Sequence, residues 1–335
     1  MNLLICVIKF LIVLIVMLLS VAYFTHIERK VMGTIQRRQG PNVVGVYGLL
    51  QPLTDGFKLL IKEIIIPSNS NIIIYLVTPV LTFAIAIISW AVIPFNVYAS
   101  YTTINLSLLY LLASSSLGIY GIILSGWASN SKYSFLGALR STAQMISYEI
   151  PIGIIILGVG MLSGSLNLND IVLSQAGFWY FPLMIGFCII MFICTLAETN
   201  RHPFDLPEAE AELVSGYNTE YSAMTFALFF LGEYANMLLM SVLIVILFFG
   251  GWLAPWETDC TIYNSFYIGG FWLGIKSIIV VILFAWMRVA LPRYRYDQLM
   301  SLGWKQFIPL TFGLHILMYY ILALFNGLPP TCYYS

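Results

Sequence analysis

Between Glu198 and Glu220 the chain gathers six of its fifteen carboxylates: Glu198, Asp205, Glu208, Glu210, Glu212 and Glu220. A single cation, Arg201, lies among them, and long apolar runs flank the stretch on both sides. Like charges this close repel one another, and loss of water adds to the cost. Such carboxylates must be hydrated, paired with cations from elsewhere in the chain, or protonated near neutral pH. The last condition describes groups that take up and release protons. Helix capping explains part of the pattern. Asp205-Leu206-Pro207-Glu208 has a capping acid, a first-turn proline and a Glu three residues on. Acids at a helix N-terminus are also favoured by its dipole. That accounts for two or three of the six.

A second set of ionisable residues lies inside the apolar runs, where charge is costly and usually faces the bundle interior. Glu233, in Leu231-Gly232-Glu233-Tyr234-Ala235-Asn236, sits about 18 Å along a helix from Tyr221, too far to reach water by snorkelling. Glu149 precedes Pro151, which frees a backbone carbonyl. It reads equally well as an interfacial acid and as a buried one. Lys276 lies some ten residues inside its run, placed either to neutralise a buried carboxylate or to reach the far interface. Glu149, Glu198, Glu233 and the acidic stretch have the content of a proton relay, with Arg140, Arg201 and Lys276 as candidate counter-charges. Neighbouring carboxylates of this kind titrate as a coupled set. The five cysteines form no CxxC, and of the three histidines only His315 lies clearly within an apolar run. The expectation is a chain with no metal and no redox centre of its own. Cys260 and Cys332 fall on one predicted side, where a disulfide between them is weakly supported.

These residues must be positioned by a membrane scaffold. The 335 residues are 60% hydrophobic and 9% charged, with mean hydropathy +0.90; a soluble domain carries about 25% charge. Net charge is zero, which argues against a nucleic-acid partner. Eight runs are long enough to span, at about 3–24, 72–95, 104–125, 143–166, 178–197, 221–250, 266–291 and 306–326. Backbone groups in hydrocarbon must pair internally, so the runs predict helices. Thirteen of the fifteen Lys and Arg fall in the connections after runs 1, 3, 5 and 7, which predicts that these connections share one side. The expected fold is therefore an all-α polytopic membrane protein with eight transmembrane helices and both termini on the positive-poor side. The positive-side loops are about 25–71, 126–142, 198–220 and 288–305, within a single transmembrane domain of residues 1–335. No cleavable leader is expected. Within the first loop, Leu53, Phe57, Leu60, Ile61 and Ile64 recur at helical spacing, with Gln51, Asp55, Lys58 and Lys62 on another face. This predicts an amphipathic helix lying at the interface.

Several motifs together carry a family resemblance. They are Glu28-Arg29-Lys30, Gln36-Arg37-Arg38-Gln39-Gly40-Pro41-Asn42, Tyr47-Gly48-Leu49-Leu50-Gln51-Pro52, Ala197-Glu198-Thr199-Asn200-Arg201, Pro203-Phe204-Asp205-Leu206 and Pro292-Arg293-Tyr294-Arg295-Tyr296-Asp297-Gln298-Leu299. Over nearly its full length the chain resembles the complex I membrane-subunit family, the mitochondrial chain 1 and bacterial H-type subunits of NADH:quinone oxidoreductase. The resemblance implies a subunit at the junction of the peripheral and membrane arms, forming the ubiquinone tunnel and the start of a charged path towards the proton pumps; the alternatives are a membrane subunit of a related ion-pumping hydrogenase complex and a stand-alone ion transporter. By motif it places Glu28, Arg29, Asp55, Lys58, Arg201, Phe204 and Asp205 at the tunnel. It places Glu149, Glu198, Glu208, Glu210, Glu212, Glu233 and Tyr234 on the coupling path, with Arg140 and Lys276 beside it. Arg288, Arg293 and Arg295 face the peripheral arm. Ubiquinone is the implied substrate, while NADH, FMN and iron–sulfur clusters belong to partner subunits. Implied partners are the peripheral-arm quinone-site and iron–sulfur subunits, neighbouring membrane-arm subunits and membrane lipids. Two departures stand out: His202 where the family often has a small residue, and Val46 where Pro often precedes Tyr-Gly. The expected location is the mitochondrial inner membrane, with a bacterial plasma membrane as the alternative.

Overall fold

A computed structural model describes residues 2–96, 100–102, 104–206, 215–255 and 269–324, apart from the side chains of residues 2–6 and 9. All the regular structure among them is helical. In chain order the helices are α1 (Asn2–Ile35), α2 (Gln51–Ile61), α3 (Ile72–Ser89), α4 (Ser107–Ala128), α5 (Lys132–Ser163), α6 (Leu168–Leu173), α7 (Ile185–Glu198), α8 (Ala223–Phe248), α9 (Gly269–Ala290), α10 (Tyr296–Ser301) and α11 (Ile308–Leu324). Glu208, Glu210 and Glu212, the capping pattern at Pro207, and both Cys260 and Cys332 lie outside the described residues.

Among the described residues, seven helices are long and apolar enough to cross a membrane. The expected span 178–197 differs from them, because its helix begins only at Ile185. Pro182 lacks an amide proton and disfavours helical geometry in the residue before it. The segment ahead of α7 is held by other means. Phe181 N donates to Phe248 O at 3.0 Å. The Gln175 side chain donates to Ile246 O at 2.9 Å and accepts from Gly250 N at 3.0 Å. Backbone and amide groups away from water are thereby satisfied.

Two helices run past their apolar stretches. α1 continues to Ile35, so Glu28, Arg29 and Lys30 ride on a membrane helix. α5 starts at Lys132, capped by the Ser131 side chain, and ends at Gly164 in left-handed geometry. Glu149 and Pro151 consequently fall inside a 32-residue helix. α8 is the most enclosed of the long helices, with α3, α7, α9 and α1 packed around it. Its Leu243 to Phe248 turns sit in the core beside Trp252, Ile155 and Ile171. Large apolar side chains of α1, α9 and α11 point outward, as expected of lipid- or partner-facing surfaces. α2 follows the expected amphipathic pattern, with Phe57, Leu60 and Ile61 exposed. Gly48 closes the turn before it at φ +78°. A Cβ there would lie 2.3 Å from Pro41 O, so only glycine fits.

Candidate functional site

Four elements converge on Glu28. The carboxylate is 2% exposed on α1. Arg288 of α9 donates to its Oε1, Tyr234 of α8 donates to its Oε2 at 2.7 Å, and Arg201, just beyond α7, approaches Oε1 at 3.7 Å. Arg201 also lies 4.4 Å from the Tyr234 ring centroid, and its Nε contacts Met237 Sδ at 3.1 Å. One acid thus meets two guanidiniums and a phenol, the kind of compensation that a buried carboxylate requires.

A second group of acids lies at or near a small cavity. Ser115 and Ser116 of α4 both donate to Glu149 Oε1, the former at 3.2 Å. Tyr217 donates to Glu233. Glu198 and Glu233 line a cavity with about 60 Å³ open to water centres, together with Ser114, Ser115, Tyr217 and Asn236. That volume and lining suit several hydrogen-bonded waters. Glu198 Oε2 is buried without a hydrogen-bond partner among the described residues.

The loop linking the two groups is short. Thr199 closes the end of α7, and residues 200–206 then fold under the segment 291–295. Tyr294 N donates to Pro203 O at 3.2 Å, and the Phe204 and Tyr294 rings stack with centroids 5.5 Å apart. Arg293 reaches His202 Nε2 at 3.1 Å and Asp205 Oδ2 at 3.4 Å. Burial first, then the neighbouring Arg293, Arg288 and Arg201, hold the His202 imidazole below its usual pKa. His202 therefore favours the neutral form and accepts from Arg293.

The remaining expected residues distribute as follows. Arg29 on α1 pairs with Asp55 on α2 at 2.7 Å, and Gln51 donates to the other Asp55 oxygen at 2.9 Å. Lys58 is exposed on the polar face of α2. Arg140 lies over the Tyr296 ring, 5.7 Å from its centroid. Arg295 is exposed, 3.9 Å from Asp297. Lys276 sits apart from the Glu28 group. Its ammonium donates to Phe249 O, Gly251 O and Leu253 O at 2.7, 3.1 and 2.6 Å and lies 4.5 Å from the Trp179 ring centroid. Sequence reasoning did not single out Ser115, Ser116, Tyr217 or Gln144. The Ser114-Ser115-Ser116 run inside an apolar helix was a usable signal; Gln144 gave none.

The fold and its buried ion groups define a polytopic helical membrane protein with charge held inside the bundle. The NADH dehydrogenase family profile matches residues 8–319. NADH-ubiquinone oxidoreductase chain 1 of Chondrus crispus is 57% identical over 322 residues, covering 96% of this chain and 98% of the relative. Chain 1 of Cyanidium caldarium is 55% identical, covering 96% and 93%. The H-type subunit of the NADH-quinone oxidoreductase of Paramagnetospirillum magneticum is 52% identical, covering 98% and 95%. The chain belongs to this family of membrane subunits of NADH:quinone oxidoreductase.

Proposed function

We propose that this chain forms the membrane-side quinone chamber of NADH:quinone oxidoreductase and the first part of the path that couples quinone reduction to proton translocation. The observation that carries the reading is the shared loop. Residues 198–205 join the Glu28–Arg201–Arg288–Tyr234 group to the cavity lined by Glu198 and Glu233. A change of charge beside Arg201 shifts the field at Glu198 within a few residues, in surroundings that screen poorly. The Glu28, Arg29, Asp55 and Lys58 face is the quinone approach, with Phe204 and Asp205 further along it. Glu149, Glu198, Glu233 and Tyr234 carry the protonic change inward, and Glu208, Glu210 and Glu212 supply its aqueous mouth. Arg293 and Arg295 face the peripheral arm.

Ubiquinone is the substrate, and electrons come from centres in partner subunits of the peripheral arm. The chain spans the mitochondrial inner membrane eight times, α7 with the segment ahead of it forming the fifth crossing. The loop bearing Arg201 faces the matrix and both termini the opposite side.

The test is Glu233→Gln in the assembled complex, with quinone reductase rate and proton pumping measured together. The amide keeps the shape and the Tyr217 contact but cannot ionise. Protons pumped per quinone reduced are expected to fall, because a positioned proton carrier is lost. Full rate with undiminished pumping removes Glu233 from the path.

A further inference from the structure

Gln144 lies on α5, one turn from Arg140 on one side and from Tyr148 on the other, and is fully buried. Its Nε2 donates to two main-chain carbonyls, Ala197 O at 2.8 Å and Phe204 O at 2.9 Å. The orientation of the amide is fixed by chemistry. Turned over, its oxygen would face two carbonyl oxygens with no proton between them. The two acceptors lie at the two ends of the loop 198–205: Ala197 directly precedes it, and Phe204 is its next-to-last residue. One amide group therefore holds both ends of the loop against a membrane helix.

That loop serves three clusters at once. Glu198 lines the cavity, Arg201 approaches Glu28, and Asp205 with His202 meets Arg293. Bonds of the loop to itself and to the end of α7, such as Phe204 N to Arg201 O at 2.7 Å and Arg201 N to Leu196 O at 3.1 Å, set its shape. They do not fix it to α5, which carries Glu149. Tyr148, one turn beyond Gln144, contacts the Phe204 ring at 5.9 Å and supplies packing but no directional bond to the loop. The Gln144 amide provides the direction.

We propose that Gln144 is the positioning residue that keeps loop 198–205, and with it the three charge clusters, in register with α5. The consequence for coupling rests on the function proposed above; the positioning itself does not.

Two substitutions in the assembled complex separate these. Gln144→Met nearly preserves volume and removes both donors. Gln144→Glu preserves length, donating one bond when protonated and repelling both carbonyls when ionised. Backbone amide exchange of residues 199–206 is read against wild type at each pH, beside protons pumped per quinone reduced. The Met variant should exchange roughly ten- to a hundredfold faster in this segment, as loss of two hydrogen bonds of about 1 kcal/mol each predicts. The Glu variant should approach wild type at low pH and depart from it as pH rises, a dependence that simple packing does not produce. Wild-type exchange in the Met variant, or a pH-independent ratio in the Glu variant, overturns the proposal. If the Met variant fails to assemble, the Glu variant decides alone. Faster exchange with intact pumping in both Gln144→Met and Glu233→Gln leaves the positioning role standing and refutes the coupling path.

Discussion

His202 shows how one residue can set the condition under which a joint holds. Its Nε2 meets Arg293 at 3.1 Å and Asp205 at 3.6 Å. With the imidazole neutral, Arg293 donates to it and Asp205 binds Arg293. Protonation turns the acceptor into a donor and sets a further cation beside Arg293, Arg288 and Arg201. Because the folded-state pKa is depressed, the stability from neutral His202 is fully present above about 6.5, the ordinary histidine value, and is lost as pH falls through the lower folded value. The joint between loop 200–206 and segment 291–295 should therefore weaken in acid. The thermal midpoint of quinone reductase inactivation should drop between pH 7.5 and 5.5 by more in wild type than in His202→Asn, whose side chain cannot charge. Identical drops in the two proteins dismiss the histidine as the cause.

At the scale of elements, Lys276 holds the turn that follows α8 inside the bundle. The last carbonyls of α8 itself are met by the Gln175 side chain and Phe181 N, and the carbonyls of the turn beyond it need donors of their own. Phe249, Gly251 and Leu253 turn their carbonyls onto the Lys276 ammonium, with Gly250 and Gly251 at positive φ to make the turn. Replacement by Met leaves these acceptors facing apolar surroundings and should destabilise the packing of α8 on α9 by about 3 kcal/mol. The check is denaturation of the assembled complex, together with limited proteolysis near residue 250. An unaltered transition shows that the carbonyls find other donors. α7 is the complementary case. Its apolar run continues upstream of Ile185, but Pro182 stops the helix and tertiary hydrogen bonds from Gln175 and Phe181 replace helical ones.

At the scale of the molecule, the exposed apolar surface around α2 needs a partner. Val43, Val46 and Tyr47 are exposed in the connection between α1 and α2, beside the exposed apolar side chains of α2. An apolar patch rimmed by charge in a membrane subunit marks a contact with lipid or protein. The chain should therefore purify with iron–sulfur subunits under mild detergent and lose its fold when they are stripped away. A stable monomer carrying out transport alone would contradict the family role.

What the sequence alone determined was the membrane scaffold and the family. Twenty-residue apolar runs are a one-dimensional signal, because a bilayer constrains length locally. Motif identity around Glu28, Arg201 and Arg293 marked the side chains around which charge would gather. Only the tertiary structure decided the grouping. Glu28, Tyr234 and Arg288 are more than 200 residues apart at the extremes, and their meeting depends on how α1, α8 and α9 pack. Lys276 had two equal readings until packing placed its ammonium at the turn that follows α8. Gln144 looked like any polar residue in a helix, since a side-chain amide acquires its role only from the carbonyls that folding brings to it.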